Sequence, residues 1–547
     1  MEDIQKQIEA IVEQLFGTKQ DVVLTRPDPK FGDFATNVAL QLAKDLGQQP
    51  RIIAEQLQAK LQQSLANQVS DVTVAGPGFI NIRLTDQALL QSVDFTSPES
   101  RKGQTVVVET NNPNPFKAMH IGHAFNAILG DTIANFIEAS GAKTHRVSYH
   151  GDVGQHVGRS MYTLLKFVDG NPNKLSEITK EDRNSFMSKM YAEGSAAYKQ
   201  DEQAKLRIDE LAKQSFTRED KVYSQVYDIC KAWSFEQIDD IVARLGNKPI
   251  EQRFLESDAD AVGVPIVRAN VPKVFKVSDG ALIFEGSKYG AFDNVFVSAR
   301  GLGLYGARDL GLITLKEQKY HADKSYIVTA EEQRAYFVGV FAAVDQCMSA
   351  MKGKTINIST GTVKLPTGKM SSRSGDVVEI SWLFDQVAEA IRARGGSDED
   401  NFVSGVLRYQ FLKVRVGGDV IFDINDAASI EGNSGPYLQY AHARAQSILA
   451  KSTIAPVKLK QIMPGERALI VKLSEYKEVI DRATKELAPH LVCTYLYALA
   501  QEFNRFYENN RVIGDPREAE RLHLVNLYAG ALKSGLSLLG IHAPNKM

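Results

Sequence analysis

Residues 104–150 read QTVVVETNNPNPFKAMHIGHAFNAILGDTIANFIEASGAKTHRVSYH. The opening QTVVVET is the short apolar run of a strand buried on both faces, as in parallel sheets. A helix pattern, HAFNAILGDTIANFIEAS, follows and stops at Gly141. A second strand pattern, KTHRVSYH, comes next. Strand, helix and strand in so short a span make a βαβ unit, so the chain is expected to be α/β around a parallel sheet with nucleotide-binding potential.

Upstream, residues 1–99 have the pattern of a small α+β domain. It opens amphipathically (Ile4, Ile8, Ile11, Leu15) and ends in the alternating VSDVTVAGPGFINIRL. Between these, KFGDFATNVALQLAKDLG reads as a turn at Gly32-Asp33 feeding a helix, with Phe31, Phe34, Val38 and Leu42 core-like. The polar break TSPESRKGQ makes a linker. A domain over 100–383 follows, with a polar, helical insertion at about 165–260. Strand patterns resume at DNVFVSAR, KSYIVTA and KTINISTGTVK. From 384 to 547 nearly everything has helical period, an all-α domain.

A chain of 547 residues is too long for one core. Its net charge of −2 selects no partner, but from Tyr440 onward Lys and Arg outnumber Asp and Glu, which permits nucleic-acid binding. Cys230, Cys347 and Cys493 are too far apart for a disulfide framework or a zinc site. No run has the length of a membrane span, and the acidic start lacks the regions of a secretory signal. A cytoplasmic protein with no membrane partner and no bound metal is expected.

His120 and His123 flank Gly122 where a helix begins. A helix start carries unpaired N–H groups and attracts anions. Imidazoles three residues apart stand over the same turn and can donate to phosphate oxygens, most usefully where negative charge develops. Gly122 leaves room for a flat ring against the backbone. The competing reading is two ordinary histidines beside a glycine. Far downstream, LPTGKMSSRSGDVV (365–378) is a Gly-flanked basic loop suited to closing over a triphosphate; by itself it is a solvated turn.

Together, H-x-G-H and K-M-S-S-R resemble the two-part signature of class I aminoacyl-tRNA synthetases. The resemblance implies a Rossmann-type catalytic domain in which the two elements hold ATP, accompanied by Mg2+, from opposite sides. His120, Gly122, His123, Lys369 and Met370 would bind ATP; His120, His123, Lys117, Lys369, Ser372 and Arg373 would be catalytic. The family's usual second loop lysine is replaced by Ser372, and Lys117 is a candidate to supply the missing ammonium.

Further stretches resemble arginyl-tRNA synthetases in particular. In VVVETNNPNPFKAMHIGH, Glu109 and Asn114 match residues holding the substrate α-amino group. SYHGDVGQHVGR is similar to a family turn at Gly151, Asp152 and Gly154. GLGLYGARDLGL matches a Tyr-x-x-Arg-Asp pattern with Tyr305 and Asp309. A guanidinium is planar, always charged and forked, and a carboxylate satisfies it bidentately; a tyrosine one helical turn away adds a second acceptor. A plain ion pair with Arg308 is the rival reading of Asp309. YIVTAEEQRAYF offers Gln333 as a further substrate contact, with Tyr336 where the family has a histidine.

SIEGNSGPYLQYAHARAQSIL and LAQEFNRFYENNRV resemble the family's helical anticodon-binding domain. Tyr440, Arg444, Asn504 and Tyr507 would stack on, or bond to, unpaired bases. The N-terminal domain is similar to one that contacts the tRNA elbow. The implied activity is arginine–tRNA ligase, acting as a monomer on L-arginine, ATP and tRNA(Arg), with arginine activation waiting for tRNA. A class I synthetase for another amino acid and a non-catalytic tRNA-binding relative are the alternatives.

Overall fold

The computed structural model describes residues 2–366 and 378–547. Lys369, Met370, Ser372 and Arg373 lie outside the described residues. The centre is a five-stranded parallel sheet built from β1 (Thr105–Asn111), β2 (Lys143–His150), β3 (Gln252–Leu255), β4 (Lys324–Ala330) and β5 (Thr355–Thr360). Its order is β5-β4-β1-β2-β3. Helix α1 (Ile121–Ala139) makes the first crossover and is buried on nearly every side, as its apolar composition requires. Strand order reverses between β1 and β4, and a crevice at their carboxyl ends is where this fold binds ligands.

Between β2 and β3 the chain is helical: α2 (Gln155–Val168), then Arg183–Gln200, Glu202–Thr217 and Lys221–Arg244. These helices close over their own core of Met161, Leu164, Tyr223, Tyr227 and Trp233. After β3 come α3 (Glu256–Ala269), α4 (Tyr305–Tyr320) and α5 (Arg334–Cys347).

One strand expectation fails. DNVFVSAR does not join the parallel sheet: Asn294–Val297 pairs antiparallel with Ala281–Phe284, which pairs in turn with Phe275–Ser278. A tight turn at Asp279 and Gly280, both with positive φ, closes the first hairpin and commits these strands to each other. The edge of the main sheet is instead β3, four residues without a distinctive apolar run.

In the N-terminal unit, strands Phe34–Thr36, Val69–Ala75 and Phe79–Leu84 form an antiparallel sheet against helices Glu2–Phe16, Val38–Leu46 and Pro50–Ser64. Ile4, Ile8, Ile11, Phe34, Val38 and Leu42 are buried, whereas Leu15 is 39% and Phe31 49% exposed. Phe31 lies outside the core because it ends the short surface 3-10 turn Pro29–Phe31, where no side chain is buried; the Lys30 ammonium stands 4.9 Å from its ring centroid. Buried Asp33 accepts from Leu84 N–H and from Arg467, and Arg26 pairs with Glu478, so this unit is bolted to the C-terminal helices.

Those helices include Asp400–Leu412, Gly435–Lys451, Pro489–Asn509 and Glu518–Leu538. Fully buried Arg408, on the first, reaches Asp131 in the middle of α1 at 2.7 Å. Arg408→Ala strips that buried carboxylate of its 2.7 Å partner, leaving only Arg146 at 3.5 Å as a cation, and should cost about 3–5 kcal/mol. Denaturant unfolding followed by tryptophan fluorescence measures it; a loss below about 1 kcal/mol contradicts the assignment.

Candidate active site at the sheet switch point

His120 is the extended N-cap of α1. Its backbone N–H donates to His123 Nδ1 at 3.2 Å, and the two rings stack with centroids 3.6 Å apart. A Cβ on Gly122 would lie 3.2 Å from His120 Cε1 and Nδ1, so the glycine gives the folded-back ring its room. Burial and the nearby Lys117 charge push His120 down to about 4, and His123 is also held well below its ordinary value. Both are therefore neutral at pH 7. With Nδ1 of His123 accepting, its ring proton sits on Nε2, free to donate.

Lys117 has no carboxylate partner among the described residues; its ammonium lies 6.0 Å from the Tyr191 ring centroid. Across from the histidines, Ile121 N–H donates to Val378 O and Ile380 N–H to Met119 O. These bonds form an antiparallel bridge between His120 and Glu379. The chain just after the basic loop is thereby stitched to the histidine turn, although the two are more than 250 residues apart.

A polar seam lines the carboxyl ends of β1 and β2. Asn114 Oδ1 accepts from Gly151 N–H at 2.8 Å, leaving its amide NH2 without a partner among the described residues. Asn112 accepts from Tyr149 N–H and donates to Glu109 Oε2 at 3.0 Å. Asn111 is buried with neither side-chain amide atom hydrogen-bonded. Buried Glu109 gives its other oxygen to buried Lys316 of α4. Asp152 is a structural knot: its carboxylate accepts from Ser257 N–H and Oγ–H and from the Tyr227 hydroxyl.

Asp309 stands on the first turns of α4. Arg308 does not pair with it, since its guanidinium is spent on Glu256 (2.9 Å), Asp260 (3.2 Å) and Gly303 O (3.0 Å). The hydroxyl that reaches Asp309 is that of Tyr336 on α5, at 2.5 Å. Tyr305, expected in that place, is 67% exposed at the first residue of α4. At i and i+4 the two side chains share a helix face, but the Tyr305 ring projects to solvent, and α5 fills the space above Asp309. Burial raises Asp309 to about 7 despite the Tyr336 bond, with Glu109 and Glu256 adding repulsion. Glu256 is raised as well, first by burial. Gln333 ends the short 3-10 turn Glu331–Gln333 after β4 and is exposed.

Sequence reading missed Lys316, Glu256 and the place of Tyr336. For Lys316 a signal existed: it lies seven residues after Asp309, hence on the same helix face two turns on. In the C-terminal helices, Arg444 bonds Asn504 at 3.4 Å and stacks over Tyr507 at 4.8 Å, while Asn504 donates to the Tyr437 hydroxyl. Tyr440 is exposed outside this cluster.

Residues 85–407 match the catalytic domain of the class I (R) tRNA synthetases, residues 2–84 the arginyl-tRNA synthetase N-terminal domain, and residues 438–547 the DALR anticodon-binding domain. An arginine–tRNA ligase from Synechocystis sp. is 30% identical, over 96% of this chain and 95% of its own length. One from Borrelia turicatae is 25% identical, over 100% and 99%. The arginyl-tRNA synthetase of Thermus thermophilus superposes with a TM-score of 0.81 at 25% identity, covering 100% of both chains. The methionyl-tRNA synthetase of Mycobacterium tuberculosis, at 12% identity over 80% of this chain and 92% of its own and a TM-score of 0.53, shares the fold alone. With well over half its length inside the class I (R) catalytic family and its two flanks matching the accompanying domains, the chain belongs to the arginyl-tRNA synthetases, class I ligases that join arginine to its tRNA.

Proposed function

We propose that this chain, acting as a cytoplasmic monomer, converts L-arginine, ATP and tRNA(Arg) to arginyl-tRNA, AMP and diphosphate, with Asp309 as the guanidinium acceptor. The carrying observation is that Asp309 is largely sequestered, fixed by Tyr336 and without an ion-pair partner among the described residues, while neighbouring Glu256 and Glu109 are paired with Arg308 and Lys316. A buried carboxylate in that condition calls for a cation from outside. Tyr305 and Gln333, at the rim, close over the substrate on this reading. The free amide of Asn114 and the fixed carboxylate of Glu109 orient the α-amino group.

The arginine carboxylate attacks the α-phosphorus of ATP; the new P–O bond forms as the α–β bridge breaks and diphosphate leaves. A terminal ribose hydroxyl of tRNA then attacks the carbonyl carbon, releasing AMP. The protein contributes position and charge rather than a nucleophile. The neutral His120 and His123 donate hydrogen bonds to phosphate oxygens, Gly122 gives the His120 ring the room to reach the nucleotide, and Lys117 adds positive charge. Lys369, Met370, Ser372 and Arg373 of the basic loop complete the ATP clamp. Mg2+ enters as part of the ATP substrate. Arg444, Asn504, Tyr507 and the exposed Tyr440 contact anticodon bases, and the domains divide at about 99 and 383.

ATP–diphosphate exchange with each amino acid, with and without tRNA, tests this: only arginine with tRNA present should support it. Exchange with arginine alone overturns tRNA-dependent activation, and failure to charge tRNA at low enzyme concentration favours a non-catalytic relative. Asp309→Asn should lower kcat/KM for arginine by about 2–5 kcal/mol, or roughly 30- to 5000-fold, with the KM for ATP little changed. Retained arginine kinetics would point to another amino acid. Asp309 binds guanidinium only when ionised, so affinity should hold above its raised value of about 7 and fade as pH drops through it. The KM for arginine measured from pH 6 to 8.5 shows this directly. Lys117→Ala should slow exchange by about 10- to 100-fold without changing which amino acid is accepted.

A further inference from the structure

We propose that Lys316 is a positioning residue for arginine: by pairing with Glu109 it fixes that carboxylate and answers its charge in the crevice that Glu109 shares with Asp309. The proposal rests on Asp309 being the guanidinium carboxylate. Both partners of the pair are almost wholly buried, Glu109 at 1% and Lys316 at 2% exposure. The two Glu109 oxygens are divided: one meets the Lys316 ammonium, the other accepts the Asn112 amide at 3.0 Å. That division sets the rotamer of Glu109 and leaves it a single orientation toward the crevice.

Lys316 also acts on Asp309 from the same helix. The groups around Asp309 are Glu109 from β1, Tyr149 from β2, Glu256 from α3 with Asp260 and Asp152 beside it, Tyr336 from α5, and Arg308, Lys316 and Tyr305 from α4 itself. Glu109 and Glu256 oppose a charge on Asp309; Lys316 favours it. Arg308 is committed to Glu256 and Asp260, which leaves Lys316 as the cation answering Glu109. Removing the ammonium leaves the Glu109 charge unanswered beside Asp309, and the proton stays on Asp309 to higher pH. Arginine binding would then have to expel that proton to solvent before the guanidinium could be held.

The test is the KM for arginine in tRNA charging, from pH 6 to 8.5, for wild type, Lys316→Gln, Lys316→Arg and Asp309→Asn. Lys316→Gln should displace the profile upward by about one pH unit, so that KM below the midpoint rises about tenfold while the KM for ATP stays put. Lys316→Arg should retain the wild-type midpoint. An unmoved midpoint in Lys316→Gln, or an equal rise in KM at every pH, overturns the proposal and leaves Asp309 untouched. If Asp309→Asn keeps both the KM and the pH dependence of wild type, the pocket assignment beneath the proposal fails instead. Should Lys316→Gln not fold, Lys316→Met, which keeps the apolar stem without the ammonium, takes its place: the same upward displacement supports the proposal and an unmoved midpoint overturns it.

Discussion

The buried pair Asp131–Arg408 is the constraint around which the rest is arranged. A guanidinium with no access to water must have all five of its N–H groups bonded. Arg408 does so through Asp131, Thr132, Asn247 and the carbonyls of Leu245 and Leu539. Those acceptors come from α1, from the end of the helical insertion and from the last turn of the C-terminal helix. The three parts of the chain can therefore meet in one geometry. Gly540 follows with φ +69°, and a Cβ there would lie 2.2 Å from Arg408 Nη2. Since α1 begins at His120, the helix that aims the histidines is also the one pinned to the C-terminal helices.

Asp131 and Asp309 show two uses of a sequestered carboxylate. Asp131 is saturated: Arg408 takes one oxygen and Lys248 N–H the other, with Arg146 alongside. Such a group gives rigidity and has nothing left for a ligand. Asp309 has one tyrosine bond, with Glu109 and Glu256 opposing its charge and Lys316 favouring it, and on the reading proposed above a bound guanidinium completes it. The difference is supplied by α4, which turns Arg308 away toward α3 and leaves Asp309 facing the crevice.

The parallel sheet was legible because β1 and β4 are apolar runs, β5 alternates apolar and polar residues and α1 has a clean helical period, signals that are local. β3 was not, because an edge strand of four residues needs no apolar run, and the antiparallel hairpin sheet mimicked a core strand at DNVFVSAR. At the site, Glu109, Asn114, Lys117, His120 and His123 occupy one continuous stretch and converge with it. Tyr336 and Glu256 reach Asp309 from other elements, and no spacing along the chain announces that. Tyr305 illustrates the converse: sharing a helix face with Asp309 put it nearby in sequence logic, while packing of α5 decided which tyrosine made the bond.

Charge accounting sharpens the proposed role of Lys117. His120 and His123 are neutral, so they can donate hydrogen bonds to phosphate but add no net positive charge. A triphosphate brings several negative charges, and oxygens that gain charge as diphosphate leaves are stabilised most by cations fixed in advance. Lys117 is a cation beside the histidines with no carboxylate partner among the described residues, and its field is part of what keeps both imidazoles neutral. The antiparallel bridge at Glu379 holds the end of the basic loop against the same turn. On the reading proposed above, Lys117 supplies the ammonium that Ser372 cannot.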